Sequence, residues 1–296
     1  MKKFERFSVM IKRIMSELNF PEEAIEYLSE QYAILVACEE AQGALSSAHD
    51  AFFVKENDFI APINEIAEKT GIHDHTVSML VLLLASQSLR DLYNEKGLPE
   101  SVWHDSMCDL RNKLLEYKNL TGIWGTNTES WFKLFFTLER FALGRLQYNK
   151  GTLNLPCGEK LKVGDPVIYI HIPSSGPLNI DDVRESLRMA REWYKKDFEG
   201  GDVPLACSSW LLYTPLTEKL PDKSNIKKFA ALFDIFDNRG EPTNKNFWRI
   251  FYRHYSPELL EEIEPKNSLE RTALELIKSG DSLGIGLGII RNSELD

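Results

Sequence analysis

The sequence predicts an α+β protein in two parts: an all-helical N-terminal domain, residues 1–125, and a C-terminal domain, residues 126–296, of short strands flanked by helices. Three observations predict this. Up to about Leu120, apolar residues recur at three- and four-residue spacing, the period of an amphipathic helix. Near residue 122 that period stops in the turn-rich segment "GIWGTNTES". Beyond it, short apolar runs broken by Gly and Pro alternate with helical stretches, the pattern of strands packed under helices.

The elements follow in order. Phe7, Met10, Ile11, Ile14 and Leu18 make the first apolar stripe. Pro21 opens a second helix, "PEEAIEYLSEQYAILVACEEAQ", where its missing N–H costs nothing. Three more follow, "APINEIAEKTGI", "HDHTVSMLVLLLASQSLRDLYNEKG" and "PESVWHDSMCDLRNKLLEYKNL", the last two separated by Gly97-Leu98-Pro99. After the aromatic run Trp131–Leu138, strands are expected in "GRLQYN", "TLNLP" and "EKLKVGDPVIYIHIP". A helix over 180–198, a strand over 204–213, helix over 214–228 and a strand over 229–236 come next. The tail predicts a strand over 247–253, a helix over 268–278 stopped by Gly280, and a last strand, "LGIGLGIIR".

Composition narrows the function. With 43% hydrophobic and 27% charged residues the chain can build a sizeable core. Residues 1–125 hold 12 Lys and Arg against 20 Asp and Glu, and residues 126–296 hold 23 against 25. Neither part has the basic excess that binding a phosphate backbone demands, so no nucleic-acid partner is expected. No apolar run approaches the roughly 20 residues that span a bilayer, and Lys12 and Arg13 interrupt the N-terminal apolar stretch, so neither membrane span nor signal peptide is read. Cys38, Cys108, Cys157 and Cys207 lie far apart, without metal spacing, which fits free thiols in a reducing cytoplasm.

Several motifs have an ordinary structural reading. "EIAEKTGIHDHTVSML" has the outline of a helix-turn-helix, but its second helix carries no Lys or Arg before Arg90 and continues as "VLLLAS", too apolar for a groove-reading surface. His73 and His75 would diverge on a helix, since only residues three or four apart share a face. Cys157 and Cys207 read as buried apolar residues, and His49, His104 and His254 show no partner in the sequence.

The segment "DPVIYIHIPSSGPLNIDDVRESLRMAREWY" carries more chemistry. An apolar strand breaks at Pro173 into small residues and becomes a helix that Asn179 can cap, with Asp182 as a weak capping-box partner. Val183, Leu187, Ala190, Tyr194 and Phe198 form its apolar stripe. A strand–turn–helix of this kind aims backbone N–H groups at the helix N-terminus, a natural place for phosphate. Pro177 removes one donor, and Asp181 and Asp182 neutralise part of the helix dipole, so by its residues alone the turn reads first as a plain connection.

At this point "FTLERFALGRLQYN", "IHIPSSGPL", "ESLRMAREWY", "ACSSWLLYTPLTEKLPDKSNIKKF" and "NSLERTALELIKSGDSLGIGLGII" carry a resemblance. In this order they resemble a bacterial two-domain family of GNAT-like acyltransferases, in which a helical N-acyltransferase N-terminal domain precedes a GNAT-like domain. The resemblance implies a mixed, mostly antiparallel twisted sheet whose central strands, ending "IHIP" and "PLACSSWLLY", splay apart to admit the pantetheine arm of acetyl-CoA or another acyl-CoA. It places the CoA pyrophosphate at the turn, with Ile172, Ser174, Ser175, Gly176 and Leu178 as cofactor-binding residues. The wider superfamily has an Arg/Gln-x-x-Gly-x-Gly/Ala turn there; this one has a single Gly and a Pro.

The implied reaction is direct attack of a small-molecule or peptide amine on the acyl-CoA thioester, with no metal. It needs a base for the ammonium proton, a backbone N–H for the oxyanion, and an acid for the departing thiolate. His171 is the expected base, Tyr213 the expected acid, and Glu139, on an early strand, a third candidate. The alternative is a catalytically inactive GNAT-fold binding or interaction protein.

Overall fold

The computed structural model describes residues 2–56, 58–157, 161–199 and 201–290, with side chains from Val9 onward. The chain divides into two compact units, one up to Ala142 and one from Leu143.

The first unit is helical: α1 (Lys2–Glu17), α2 (Glu22–Ala37), α3 (Gln42–Ala51), α4 (Ile60–Thr70), α5 (Asp74–Lys96), α6 (Glu100–Thr121) and α7 (Glu129–Phe136). α5 is its centre. Val77, Met79, Leu80, Val81, Leu82 and Leu83 have no exposed surface, so apolar residues point inward all around this helix. The second helix of the helix-turn-helix outline is therefore core and cannot lie in a groove. Gly97, at φ +64°, ends α5 in the left-handed conformation, and Pro99 N-caps α6, as the sequence suggests. The Trp103 indole donates to the Ser86 carbonyl at 2.9 Å and ties α6 to α5. α7 turns its aromatic run into Phe52 and Phe53: the Phe136 ring lies 5.4 Å from both, tilted against the first and edge-on to the second. Among the described residues, no helix is long and apolar enough to cross a membrane.

The strand β1 (Arg140–Leu143) runs across the boundary, and the second unit carries β2 (Leu146–Thr152), β3 (Pro166–His171), α8 (Ile180–Tyr194), β4 (Leu205–Ser209), α9 (Thr214–Thr217), α10 (Asn225–Ala230), β5 (Phe233–Gly240), α11 (Phe247–Phe251), α12 (Leu259–Glu262), α13 (Ser268–Lys278) and β6 (Gly284–Ile290). The described residues form a six-stranded sheet in the order β1-β2-β3-β4-β6-β5. β2–β3, β4–β6 and β5–β6 are antiparallel, and β3–β4 is parallel, so the sheet is mixed and mostly antiparallel, as expected. α8 buries Val183, Leu187, Ala190 and Tyr194 against it, with Phe198 half-buried beyond the helix end. Ser186 fastens the helix: it accepts from the Leu146 amide at 3.0 Å and meets the Tyr148 hydroxyl at 2.9 Å.

Three expectations are corrected. Residues 247–253 are not a strand but the short helix α11, because Phe247 and Ile250, three apart, both enter the core under α13. Residues 153–156 are not a strand either. The strand expected over 204–213 ends at Ser209, whose side chain caps a 3₁₀ turn over Trp210–Leu212. Glycine spacing explains how that turn packs. Gly284 and Gly286 lie on one face of β6; a Cβ on the first would lie 2.5 Å from the Tyr213 ring, and on the second 2.3 Å from the Leu212 carbonyl oxygen.

Candidate active site

β3 and β4 run side by side for two residue pairs only, Ile168 with Leu205 and Tyr169 with Ala206. β3 continues to His171 and β4 to Ser209, so the parallel pair opens beyond Tyr169 and Ala206. Side-chain alternation puts Ile168 and Ile170 on the α8 face, and Val167, Tyr169 and His171 on the other. Amides alternate likewise. The Ile168 N–H donates to the Pro204 carbonyl at 2.9 Å, so the amides of alternate residues of β3, Ile168 and Ile170, point along the edge that faces β4.

His171 stands at the lip of this opening, half-buried. Its Nε2 lies 2.6 Å from Asn149 Oδ1, and the Asn149 amide nitrogen donates to the Lys150 carbonyl at 2.9 Å. With the Asn149 oxygen as acceptor, this contact corresponds to the tautomer that carries its proton on Nε2. Directly across the β2–β3 ladder, Gln147 pairs with His171 and is 1% exposed, and its Oε1 has no hydrogen-bond partner among the described residues. An orphaned buried acceptor beside an oriented imidazole marks a position for a donor group.

The turn after β3 is held from one side. Arg145, at the tip of the β1–β2 hairpin, donates to the Pro173 carbonyl at 3.1 Å, Gly176 at 2.7 Å and Pro177 at 3.3 Å. Burial pulls its guanidinium below the usual range, and Asp182 opposes that. In a trans peptide the N–H points opposite the C=O. The Ser174 and Leu178 amides therefore face away from Arg145. The Ser175 and Gly176 amides donate to no group among the described residues, and Gly176 adopts φ +104° with open space at its Cα. Asn179 caps α8 by accepting from the Asp181 amide at 3.0 Å, one residue earlier than a capping box would place it. The opening and these amides fit an extended thioester arm ending in phosphate; Pro177, Asp181 and Asp182 limit how much charge the turn holds.

Tyr213 follows the 3₁₀ turn at the end of β4. It is 6% exposed and packs with Leu216, Phe247, Ile250, Ala273 and Ile277. Burial first, and the Asp281 charge second, raise its phenol above the ordinary range; a Ser282 hydrogen bond works the other way. His171 and Tyr213 thus face different surroundings. Glu139 is not on a strand: it occupies the bend before β1 and pairs with Lys55 at 2.8 Å. Burial raises the Cys157 and Cys207 thiols, which disfavours a thiolate nucleophile at either.

The structure also corrects the reading of His73 and His75. Their rings lie 5.4 Å apart, because His73 precedes the helix as its N-cap and need not follow helical divergence. The ligand atoms of His73, Asp74 and His75 fall within 4.8 Å of one another. They are engaged already: His73 Nδ1 and Asp74 Oδ1 both accept from the His75 amide, and His75 Nδ1 meets the Tyr117 hydroxyl. A helix N-terminus also opposes a cation.

Arg145, Asn149 and Gln147 escaped the sequence reading. The hairpin tip is legible in "GRLQYN", but nothing local shows that Arg145 reaches carbonyls 28 to 32 residues later.

Comparison with known proteins agrees with this architecture. Residues 140–290 match the family of the GNAT-like C-terminal domain, and residues 10–138 match the N-acyltransferase N-terminal domain. The chain belongs to the GNAT-like C-terminal domain family. It is similar to the crystal structure of an acyltransferase in complex with decanoyl-CoA and teicoplanin, at 23% identity over 94% of this chain and 86% of that one, with a TM-score of 0.71. A mutant acyltransferase in complex with octanoyl-CoA covers the same shares at 22% identity and a TM-score of 0.68. At such identity the likeness concerns the fold. The sequence matches none of the curated proteins.

Proposed function

We propose that the protein is an acyl-CoA-dependent N-acyltransferase that transfers an acyl group to a small-molecule or peptide amine by direct attack. The observation that carries this is the β3–β4 pair, which opens after two residue pairs with His171 at its lip. Similar folds bind decanoyl-CoA and octanoyl-CoA, and one of them binds teicoplanin, which supports this class of donor and acceptor. Acyl-CoA is a substrate here and supplies the activated thioester. The residues for its phosphates are Ser174, Ser175, Gly176 and Leu178, with the Ile172 amide at the oxyanion.

His171 takes the proton of the attacking ammonium. Only the neutral amine attacks, so this step sets the pH dependence on the acid side. Tyr213 is the candidate acid for the departing thiolate; a phenol is protonated at neutral pH in any case, and burial raises it further. The free cysteines and the absence of a spanning helix among the described residues support a cytoplasmic setting.

The one-glycine turn with two neighbouring aspartates favours a second reading, a scaffold that has lost its ligand. Titration calorimetry with CoA, acetyl-CoA, decanoyl-CoA and 3′-dephospho-CoA decides between them. Micromolar binding is expected, and no binding up to millimolar would sink the enzyme reading. Given binding, His171→Ala is expected to lower kcat by 100-fold or so at unchanged Kd for CoA, within the range for general-base loss.

A further inference from the structure

The helical unit contains a pocket of about 470 Å³ between α1, α2, α3 and α5, within the range of small-molecule sites. Met10, Val36, Leu45 and Leu84 give it apolar walls. At its polar side, Ser88 Oγ lies 2.9 Å from His49 Nε2, and His49 Nδ1 lies 2.8 Å from Asp50 Oδ1. One tautomer satisfies both contacts: Nδ1–H donates to the Asp50 carboxylate, and Nε2 accepts from the Ser88 hydroxyl. Phe53 flanks the imidazole, ring centroids 5.4 Å apart, and limits its rotation. Tyr32 also lines the pocket, with 2% of its surface exposed, and its hydroxyl makes no hydrogen bond to the described residues.

We propose that this pocket is a second site, at which Ser88 is a nucleophile toward uncharged carboxylic esters with a short apolar group. In the first step Ser88 Oγ bonds to the ester carbonyl carbon while its proton passes to His49 Nε2. The carbon–oxygen bond to the alcohol then breaks, and the alcohol leaves with that proton. A water molecule repeats the sequence on the acyl-serine, releasing the carboxylic acid and restoring Ser88 and His49. Asp50 holds the ring and its charge throughout. Asp91 in the lining and the Asp50 carboxylate beside His49 repel anionic substrates, so polyanionic CoA thioesters are excluded and the site is independent of the one at β3.

The interior of α5 has no spare backbone N–H to stabilise an oxyanion at Ser88. That work falls to the Tyr32 hydroxyl, and one donor in place of two makes turnover slow, by about 100- to 1000-fold for each missing donor. Covalent labelling is therefore the sensitive readout. The full-length protein is incubated with an alkyl fluorophosphonate, and the adduct is located by peptide mass spectrometry, with p-nitrophenyl butyrate hydrolysis followed in parallel. One adduct on the Ser88 peptide is expected, none in Ser88→Ala, at least ten-fold slower labelling in His49→Gln, and slower ester hydrolysis in Tyr32→Phe. Circular dichroism establishes that each variant is folded; should one not be, the adduct site in the wild type decides alone. No adduct under conditions that fully label a serine esterase, an adduct elsewhere, or labelling indifferent to a folded His49→Gln overturns the proposal.

Discussion

Arg145 shows how one side chain can shape a site without entering it. Its guanidinium gathers three carbonyls of the Pro173–Leu178 turn, and each such bond to a charged group is worth roughly 1.5–3 kcal/mol when buried, less at this half-exposed position. Arg145→Ala is expected to loosen the turn and raise the CoA Kd about ten-fold, with kcat little changed because the reacting atoms are untouched. Calorimetry on wild type and variant checks this; equal affinities would show that the turn organises itself. Tyr213 separates packing from chemistry. Tyr213→Phe keeps the buried ring, so a melting temperature close to wild type is expected together with slower turnover. An unchanged rate would remove Tyr213 from the reaction and leave it a core residue.

Among the elements, β6 is the most exacting. Its alternating glycines form a flat strip on which the 3₁₀ turn and the Tyr213 ring lie. Gly286→Ala would place a methyl 2.3 Å from the Leu212 carbonyl oxygen, with backbone rather than a flexible side chain to displace. A loss of about 1–3 kcal/mol follows from overpacking of this kind. Chemical denaturation checks it, and a loss below 0.5 kcal/mol, roughly the noise of a neutral surface change, would contradict the packing. The strip was visible in "LGIGLGIIR" as glycines two apart, yet its purpose was not, since what lies over a strand is decided by a distant segment. α11 shows the complementary failure: "FWRIF" has strand-like composition, and its contacts with α13 make it helical.

At the scale of the molecule, buried tyrosines govern behaviour in alkali. Burial pushes Tyr32 up to about 12 and raises Tyr148 and Tyr213 as well. In the unfolded chain these phenols ionise near 10, so above that pH the unfolded state has lost protons that the folded state still holds. Their contribution is complete below pH 10 and is lost as pH rises toward 12. Thermal melts across pH 8 to 12 are expected to show a falling melting temperature above pH 10. A flat profile would mean that these hydroxyls reach water. The net charge of −10 at neutral pH grows more negative over the same range and adds self-repulsion in the same direction.

The sequence by itself determined the fold class, the helical first part and the strand–turn–helix on which the site is built, because periodicity, capping residues and glycine punctuation act over a few positions. It also singled out His171, which ends a strand. The aromatic run after residue 130 changed character in sequence but packs as α7 on Phe52 and Phe53, which is why the first compact unit reaches Ala142. Only the tertiary structure decided that Arg145 clamps the turn, that Asn149 and Gln147 face His171, and that Ser88 and His49 meet although 39 residues separate them. Each of those is a contact between elements. Such contacts depend on how whole faces pack, and no local spacing encodes that.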